Sequence, residues 1–169
     1  MRIRWHHFPQ SRRPSETMRK TIECFDRVYE KIDSSKHDLE SNDVLRAVAP
    51  ELERIKFRVE SGKKKGEKIS VPVFYGENGS VEKSFDADAY HERAGIVVEV
   101  EAGRAVANNQ FLKDLFQACM MDGVSQLCIA VRIRYKKQND FATVVTFMNT
   151  LYVSRRLELP IESVVVVGY

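Results

Sequence analysis

Residues 84–103 read SFDADAYHERAGIVVEVEAG, and this stretch is the most informative part of the sequence. Residues 96–101 are apolar except for Glu99 and Glu101. A buried strand does not end in two carboxylates unless something compensates their charge. Because side chains alternate between the two sides of a strand, Glu99 and Glu101 share one face. The stretch therefore predicts a strand that carries two acidic groups on one side.

The residues before this strand predict its hairpin partner. A strand over residues 81–90 and a turn over residues 91–95 precede it, with residues 93–94 at the tip. In that register Asp88 lies opposite Glu99, and directly opposed side chains share a face with Cβ atoms roughly 5 Å apart. A slip of one residue would send the aspartate to the other face.

The same register places Asp86 opposite Glu101, so four carboxylates are expected to converge on one patch. Like charges at that distance repel unless a cation lies among them or some are protonated. Hard oxygen donors at this density favour Mg²⁺ or Mn²⁺ over zinc. The alternative interpretation is a set of solvated carboxylates on an open sheet face. The apolar character of the strand, and the helix and buried strand that follow it, favour the metal site.

The first part of the chain shows helical and then alternating periodicity. Apolar residues recur at spacings of three and four over residues 15–33 and 42–59, which indicates helices, the second one divided at Pro50. Alternation then predicts a strand over residues 69–73, followed by a hairpin turn over residues 76–79.

After the acidic strand, helices and apolar strands alternate. We expect a helix over 108–121, a strand over 127–133, a helix over 141–156 and a strand over 164–167. An antiparallel meander followed by helical crossovers predicts a sheet that is antiparallel in its first part and parallel in its last. The sequence therefore predicts an α/β fold with a mixed central β-sheet flanked by helices.

Composition limits the class of protein. With 169 residues and 43% hydrophobic content, we expect a single domain over 1–169, with a helical part at 1–60 and a core at 67–169. No apolar run reaches the roughly 20 residues of a membrane span, and the basic N-terminus lacks a secretory apolar region, so a cytoplasmic protein without a membrane partner is expected. The net charge of +3 permits a polyanionic partner without requiring one. The three cysteines predict neither a disulfide framework nor a zinc site.

The acidic pattern resembles that of the PD-(D/E)XK nuclease superfamily, in which an acidic residue and a hairpin precede Glu-x-Lys. Here Asp88 is followed by Glu99-Val100-Glu101, with glutamate in place of the lysine. The BamHI and BglII branch of type II restriction endonucleases shares this departure. The resemblance continues through the strand, helix and strand of residues 95–135 and the last helix and strand, and covers roughly residues 81–169.

The resemblance implies a restriction endonuclease-like fold and Mg²⁺-assisted hydrolysis of DNA phosphodiester bonds, with Mn²⁺ as a possible substitute. Asp88, Glu99 and the backbone carbonyl of Val100 would hold the metal. Glu101 would orient or deprotonate the attacking water and could ligate a second metal. Asp86 is a rival for the role of Asp88 or an outer ligand, and the predicted register favours Asp88.

The resemblance also implies double-stranded DNA as substrate and a homodimer that cuts both strands. Candidate DNA contacts follow the acidic strand. Arg104 opens the next loop and could contact a base or a phosphate. Asn108 and Asn109 either cap the following helix or contact bases, and the capping interpretation is favoured. Lys113 either reaches a phosphate or is ordinary surface.

Three functions remain open at the level of sequence. The first is a type II restriction endonuclease-like enzyme, although the chain is shorter than those enzymes. The second is a DNA repair or mobile-element nuclease with the same chemistry. The third is a non-catalytic domain that uses the same fold to bind DNA or protein. Dependence on a divalent metal separates the two nucleases from the binding domain.

Overall fold

A computed structural model describes residues 2–62, 64, 66–103, 105–134 and 136–169. In chain order the elements are β1 (Arg4–Phe8), α1 (Glu16–Arg27), α2 (Tyr29–Ile32), α3 (Ser41–Arg54), β2 (Arg58–Val59), β3 (Ile69–Tyr75), β4 (Val81–Ala87), β5 (Ala89–His91), β6 (Ile96–Glu101), α4 (Gln110–Met120), β7 (Gln126–Val131), α5 (Asp140–Ser154) and β8 (Ser163–Gly168). Short 3-10 turns lie at Glu77–Gly79 and Glu92–Ala94. In the part of the chain described, no helix is long and apolar enough to cross a membrane.

A six-stranded mixed sheet forms the centre of the molecule, in the order β1-β8-β7-β6-β5-β2. Strands β6, β7 and β8 run parallel to one another. Strand β1 is antiparallel to β8, while β5 is antiparallel to both β6 and β2. The predicted α/β fold with a mixed sheet is confirmed. A helix connects each pair of neighbouring parallel strands, because parallel strands can be joined only by a long connection.

Side-chain alternation along β6 divides the hydrophobic core into two layers. Ile96, Val98 and Val100 pack with residues of the first three helices. Val97 packs on the other side of the sheet, with residues of α4 and α5. Burial of each such side chain contributes about 1.5 to 3 kcal/mol relative to exposure. The sheet is therefore covered on both faces, and any polar group on β6 is placed among packed side chains.

Pro50 lies inside α3 and does not divide it, so the predicted division of that helix is wrong. A proline in a helix interior removes one backbone hydrogen bond and costs about 3 kcal/mol. The helix continues past it because α3 buries apolar residues on both sides of the proline, including Val48 and Leu52. Tertiary packing outweighs the local cost.

The predicted strand over residues 81–90 is interrupted at Asp88. Its first part, β4, pairs with β3 in a separate two-stranded sheet, and its last part, β5, joins the central sheet. The predicted three-strand meander is therefore wrong, because the chain changes sheets between Ala87 and Ala89. Strand β1, near the N-terminus, was not predicted, because its sequence RWHHF shows no clear alternation of apolar and polar residues. It pairs antiparallel with β8.

Candidate active site

The hairpin between β5 and β6 has the predicted register. Ala89 pairs with Val98, and Tyr90 pairs with Val97, so one further step places Asp88 opposite Glu99. Gly95 ends the turn with φ 60°, and a Cβ atom there would lie 2.6 Å from the carbonyl oxygen of Gly123. Only glycine fits such a close approach in the left-handed region without strain. The turn thus fixes which side chains face each other.

Asp88 is held in place by two backbone contacts. Its Oδ2 accepts a hydrogen bond from the backbone N–H of Val100 at 2.7 Å. Its own carbonyl oxygen accepts one from the backbone N–H of Glu60 at 2.8 Å. The side chain thus takes the place of a strand partner for Val100, because β5 does not extend that far. A carboxylate whose position is set by the backbone has little freedom to turn away.

Asp114 completes the site, and sequence reasoning missed it. The buried face of α4 consists of Phe111, Asp114, Leu115 and Ala118, so an acidic residue occupies a core position. Asp114 is only 3% exposed. The signal was present in the sequence, since residues at spacings of three and four share a helix face and this aspartate interrupts an apolar stripe. We call Asp88, Glu99, Glu101 and Asp114 the acidic cluster.

Burial raises the pKa of every member of the acidic cluster, and repulsion from neighbouring carboxyls adds to the shift at Asp88, Glu99 and Glu101. Loss of hydration is the largest cause throughout. The pKa of Asp88 rises to about 7, that of Glu101 to about 8 and that of Asp114 to about 6. The pKa of Glu99 lies well above its usual range, through burial and then the charges of Asp88, Asp114 and Glu101. The positive charge of Lys113 lowers the pKa of Glu99, but this is a smaller effect than burial and the three neighbouring carboxyls. Mutual influence of this kind shows that the four carboxyls are close neighbours.

The two oxygens of Asp114 have different surroundings. Asp114 Oδ1 accepts from Gln110 Nε2 at 3.2 Å. Asp114 Oδ2 is buried and meets no N–H or hydroxyl donor among the described residues. The carboxyl of Glu101 is close enough to donate a hydrogen bond to Asp114 when it is protonated. Buried polar atoms nearly always have a partner, so this oxygen requires either that shared proton or a bound cation.

Asp86 does not belong to the cluster. It pairs with Ser70 in the β3–β4 sheet and forms an ion pair with Lys68 at 2.5 Å. Its side chain is exposed, and the expected placement opposite Glu101 is wrong. The physical reason is the change of sheet at Asp88, which carries β4 away from β6. Asp88, rather than Asp86, lies beside Glu99.

The donor chemistry suits a hard cation, although the carboxyls do not form a closed binding site. Within the described ranges, no group of three or more His, Cys, Asp or Glu side chains is arranged to hold a metal ion. Nor does an ion pair join the acidic cluster to any described lysine or arginine. Clustered carboxylate oxygens are the ligands that Mg²⁺ and Mn²⁺ prefer. The buried Oδ2 of Asp114 fits such an ion, so the residues match the metal in chemistry.

The structure describes three of the four predicted DNA-contact residues. Arg104 lies outside the described residues. Asn109 occupies the N-cap position of α4 with φ 51°, but its side chain makes no capping hydrogen bond to any described residue, so side-chain capping by Asn109 is wrong. Asn108 and Lys113 are exposed near the start of α4. All three side chains are available to a ligand next to the cluster.

A groove of about 1020 Å³ runs past the carboxyl ends of β6 and β7. Glu101 of the acidic cluster and Gln110, the hydrogen-bond partner of Asp114, line one part of it. Its remaining wall comes from the α2–α3 connection and the segment after β7, and its basic members are Lys36, His37, Arg132, Arg134 and Lys136. Ligands of open α/β sheets generally bind at the carboxyl ends of strands. The cluster is thus in contact with a long, largely polar groove.

Comparison with known proteins assigns no family. No protein-family model matches the chain, and no curated protein matches it significantly. The acidic cluster and the groove beside it are therefore the features that bear on the function.

Proposed function

We propose that this protein is a Mg²⁺-dependent DNA endonuclease with a restriction endonuclease-like fold. The observation that carries the proposal is the acidic cluster itself: four carboxyls converge where β6 meets α4, with raised pKa values and a buried oxygen that meets no N–H or hydroxyl donor among the described residues. A fold tolerates such repulsion where function requires it. A divalent cation would relieve the repulsion and favour the ionised carboxyls.

The cation would be held by Asp88, Glu99 and the backbone carbonyl of Val100, with Asp114 as a further oxygen donor. Mn²⁺ would serve in the same position. When bound, the metal supplies a lower pKa for a coordinated water and neutralises charge that develops on the phosphate. The protein residues supply the rest: Asp88 is oriented by Val100, and Glu99 is placed by the strand register.

Glu101 is suited to proton transfer. Burial raises its pKa to about 8 without a metal, and a bound cation would lower it again, so that the ionised carboxylate could accept a proton near neutral pH. It is the cluster member that lines the groove, so it is within reach of solvent and of a bound ligand. We assign it the role of orienting the attacking water and accepting its proton, in the position that lysine occupies in most of the resembled superfamily.

The DNA would lie in the groove, with a phosphate next to Glu101. Four lysine and arginine side chains line the groove against three acidic ones (Asp38, Glu40 and Glu101), and this small positive excess, like the net charge of +3, supports a polyanionic substrate. Cutting both strands is most simply done by a homodimer. Exposed apolar side chains one turn apart on α4, Phe116 (49% exposed) and Met120 (48% exposed), support a second copy as partner. Light scattering of the purified protein tests the dimer.

The direct test is incubation of supercoiled plasmid with the protein and Mg²⁺ or Mn²⁺. We expect cleavage by the wild type only when metal is present, and none by the Glu99→Ala variant. Discrete fragments would identify a restriction-type enzyme, and a smear would identify a nonspecific nuclease of the repair or mobile-element kind. The absence of metal-dependent cutting would overturn the proposal.

A non-catalytic DNA-binding domain is the second candidate. The observation that favours it is the lack, across the described residues, of a closed group of metal-binding side chains. Such a domain would bind DNA equally well with metal or with EDTA and would tolerate Glu99→Ala. Binding that is unaffected by metal, together with intact plasmid, would select this function.

A further inference from the structure

Glu101 is the last residue of β6, and the peptide group that follows it is held at both ends. The carbonyl oxygen of Glu101 accepts a hydrogen bond from the Tyr169 hydroxyl at 3.2 Å. The N–H of the same peptide group belongs to Ala102 and donates to Ser41 Oγ at 3.0 Å. Because a trans peptide group is planar, with its C=O and N–H pointing in opposite directions, the two contacts together fix its orientation.

Side chains hold this part of β6 because the pairing with the neighbouring strand β5 stops at Val98. Beyond that point, Asp88 Oδ2 accepts a hydrogen bond from the N–H of Val100, and Ser41 Oγ accepts one from the N–H of Ala102. The end of a strand opens easily when its backbone groups lack partners. Ser41 therefore continues, at the start of α3, the edge contact that Asp88 begins.

The Tyr169 hydroxyl has a fixed position and a fixed direction. Tyr169 is 1% exposed and packs in the core layer that contains residues of the first three helices. Its backbone N–H donates to the carbonyl oxygen of Val131 at 3.1 Å. Burial raises the pKa of Tyr169 well above its usual range, so the hydroxyl keeps its proton, and the same hydroxyl is hydrogen-bonded to Arg132. Because a guanidinium only donates and a carbonyl only accepts, the hydroxyl proton is directed to Glu101.

We propose that Tyr169 and Ser41 are positioning residues that hold the carboxyl of Glu101 where it accepts a proton from the attacking water. This inference rests on the proposed function, which assigns that proton to Glu101. The orientation of the peptide group after Glu101 sets how this residue sits at the strand end, and with it the direction of its side chain. A displacement of about 1 Å in a reacting group can cost about 100-fold in rate. The two hydroxyls thus act through Glu101, without contact to the phosphate.

Amide hydrogen exchange of the full chain, followed by NMR, tests the hold without any cleavage. Tyr169→Phe keeps the ring and removes the hydroxyl from the carbonyl end of the peptide group. We expect the N–H of Ala102, at the other end, to exchange about fivefold faster relative to that of Val97 in the middle of β6, the factor for one net hydrogen bond. Tyr152→Phe is the matched control, because the Tyr152 hydroxyl is buried and has no hydrogen-bond partner in the described part of the chain. Equal exchange at Ala102 in the two variants would overturn the hold.

Single-turnover plasmid cleavage with Mg²⁺ tests the catalytic consequence. We expect Tyr169→Phe and Ser41→Ala each to slow cleavage about 10- to 100-fold, typical of the loss of a residue that orients a group of a metal site. Tyr169 does not line the groove, so DNA affinity of Tyr169→Phe, measured by fluorescence anisotropy in EDTA, should change by less than about twofold. Tyr152→Phe and Ser80→Ala, which removes a hydroxyl that donates to the carbonyl oxygen of Glu77 in the β3–β4 turn, should cut at the wild-type rate.

The two hydroxyls hold one peptide group, so their effects on cleavage should not multiply. We expect the double variant of Tyr169→Phe and Ser41→Ala to cut within about twofold of the slower single variant, the margin within which independent effects are distinguished. Losses that multiply would overturn the shared hold, and cleavage by Tyr169→Phe at the rate of Tyr152→Phe would overturn the positioning role. Thermal melts confirm that each variant is folded. A wild type that never cuts overturns the nuclease and with it the catalytic consequence, while exchange at Ala102 decides the hold itself.

Discussion

Asp88 accepts a hydrogen bond from the backbone N–H of Val100, through Oδ2 and at 2.7 Å. This contact ties the carboxyl to the strand that carries Glu99 and Glu101. It also favours the ionised form of Asp88, but burial outweighs it and the pKa rises to about 7. The carboxyl of Asp88 therefore has a fixed position and is only partly ionised near neutral pH. Both properties suit a residue that binds a cation.

Replacing Asp88 separates its charge from its hydrogen bond. Asp88→Asn retains an acceptor for Val100 and removes the charge, whereas Asp88→Ala removes both. We expect both variants to lose metal-dependent cleavage by about 100-fold or more, as when a group that stabilises developing charge is removed. In urea denaturation, the alanine variant should be about 1 kcal/mol less stable than the asparagine variant, the net value of one hydrogen bond. Retained cleavage by Asp88→Asn would remove Asp88 from the site.

Asp86 provides a matched control two residues away. Asp86→Asn removes the same charge from a carboxyl that is exposed and paired with Lys68. We expect cleavage to change by no more than about twofold, with a loss in stability of about 0.2 to 1 kcal/mol, typical of exposed ion pairs. Plasmid cleavage and urea denaturation measure the two effects. A strong loss of cleavage would restore Asp86 as a metal ligand.

The acidic cluster should make stability fall as the pH rises. In the unfolded chain its carboxyls ionise near pH 4, whereas the folded pKa values of Asp114, Asp88 and Glu101 are about 6, 7 and 8. Between these limits the folded state binds more protons, so rising pH favours unfolding. We expect the free energy of unfolding, measured in EDTA, to decrease as the pH rises from about 4 through 8. Stability that rises through this interval would contradict the raised pKa values.

The hairpin shows what the sequence could and could not predict. Periodicity and turn length were enough to place Asp88 opposite Glu99, because alternation and register leave few choices once the turn is known. They could not show that the chain changes sheets at Asp88, since β4 and β5 have the same local pattern as one continuous strand. Strand pairing is a tertiary property, and Asp86 was misplaced for that reason.

Mg²⁺ should reverse the loss of stability that the acidic cluster causes at high pH. A ligand that binds only the folded state raises its stability by RT ln(1 + [L]/Kd), about 2.7 kcal/mol at a concentration of 100 Kd. We expect Mg²⁺ to raise the melting temperature at pH 8 and to have much less effect at pH 5, where protons occupy the acidic cluster. Differential scanning fluorimetry at both pH values, with Glu99→Gln as control, measures the effect. Equal shifts in the control would place the ion elsewhere.

Replacing Asp114 should change stability and metal binding in opposite directions. Asp114 occupies a core position on α4, and its Oδ2 meets no N–H or hydroxyl donor among the described residues. Asp114→Asn removes a buried charge with little change in volume, so we expect the free energy of unfolding at pH 8 without metal to rise by about 1 kcal/mol or more, since one pKa unit corresponds to about 1.4 kcal/mol. The same change should weaken the stabilisation by Mg²⁺, because the cation loses one oxygen donor. Urea denaturation with and without Mg²⁺ measures both effects on one protein. Asp122→Asn, which alters an exposed aspartate that accepts a hydrogen bond from Tyr75 and lies beyond the same helix, should leave the stabilisation by Mg²⁺ unchanged. An Asp114→Asn variant that is less stable without metal, or equally stabilised by Mg²⁺, would show that this carboxyl serves the packing of α4 and not the metal.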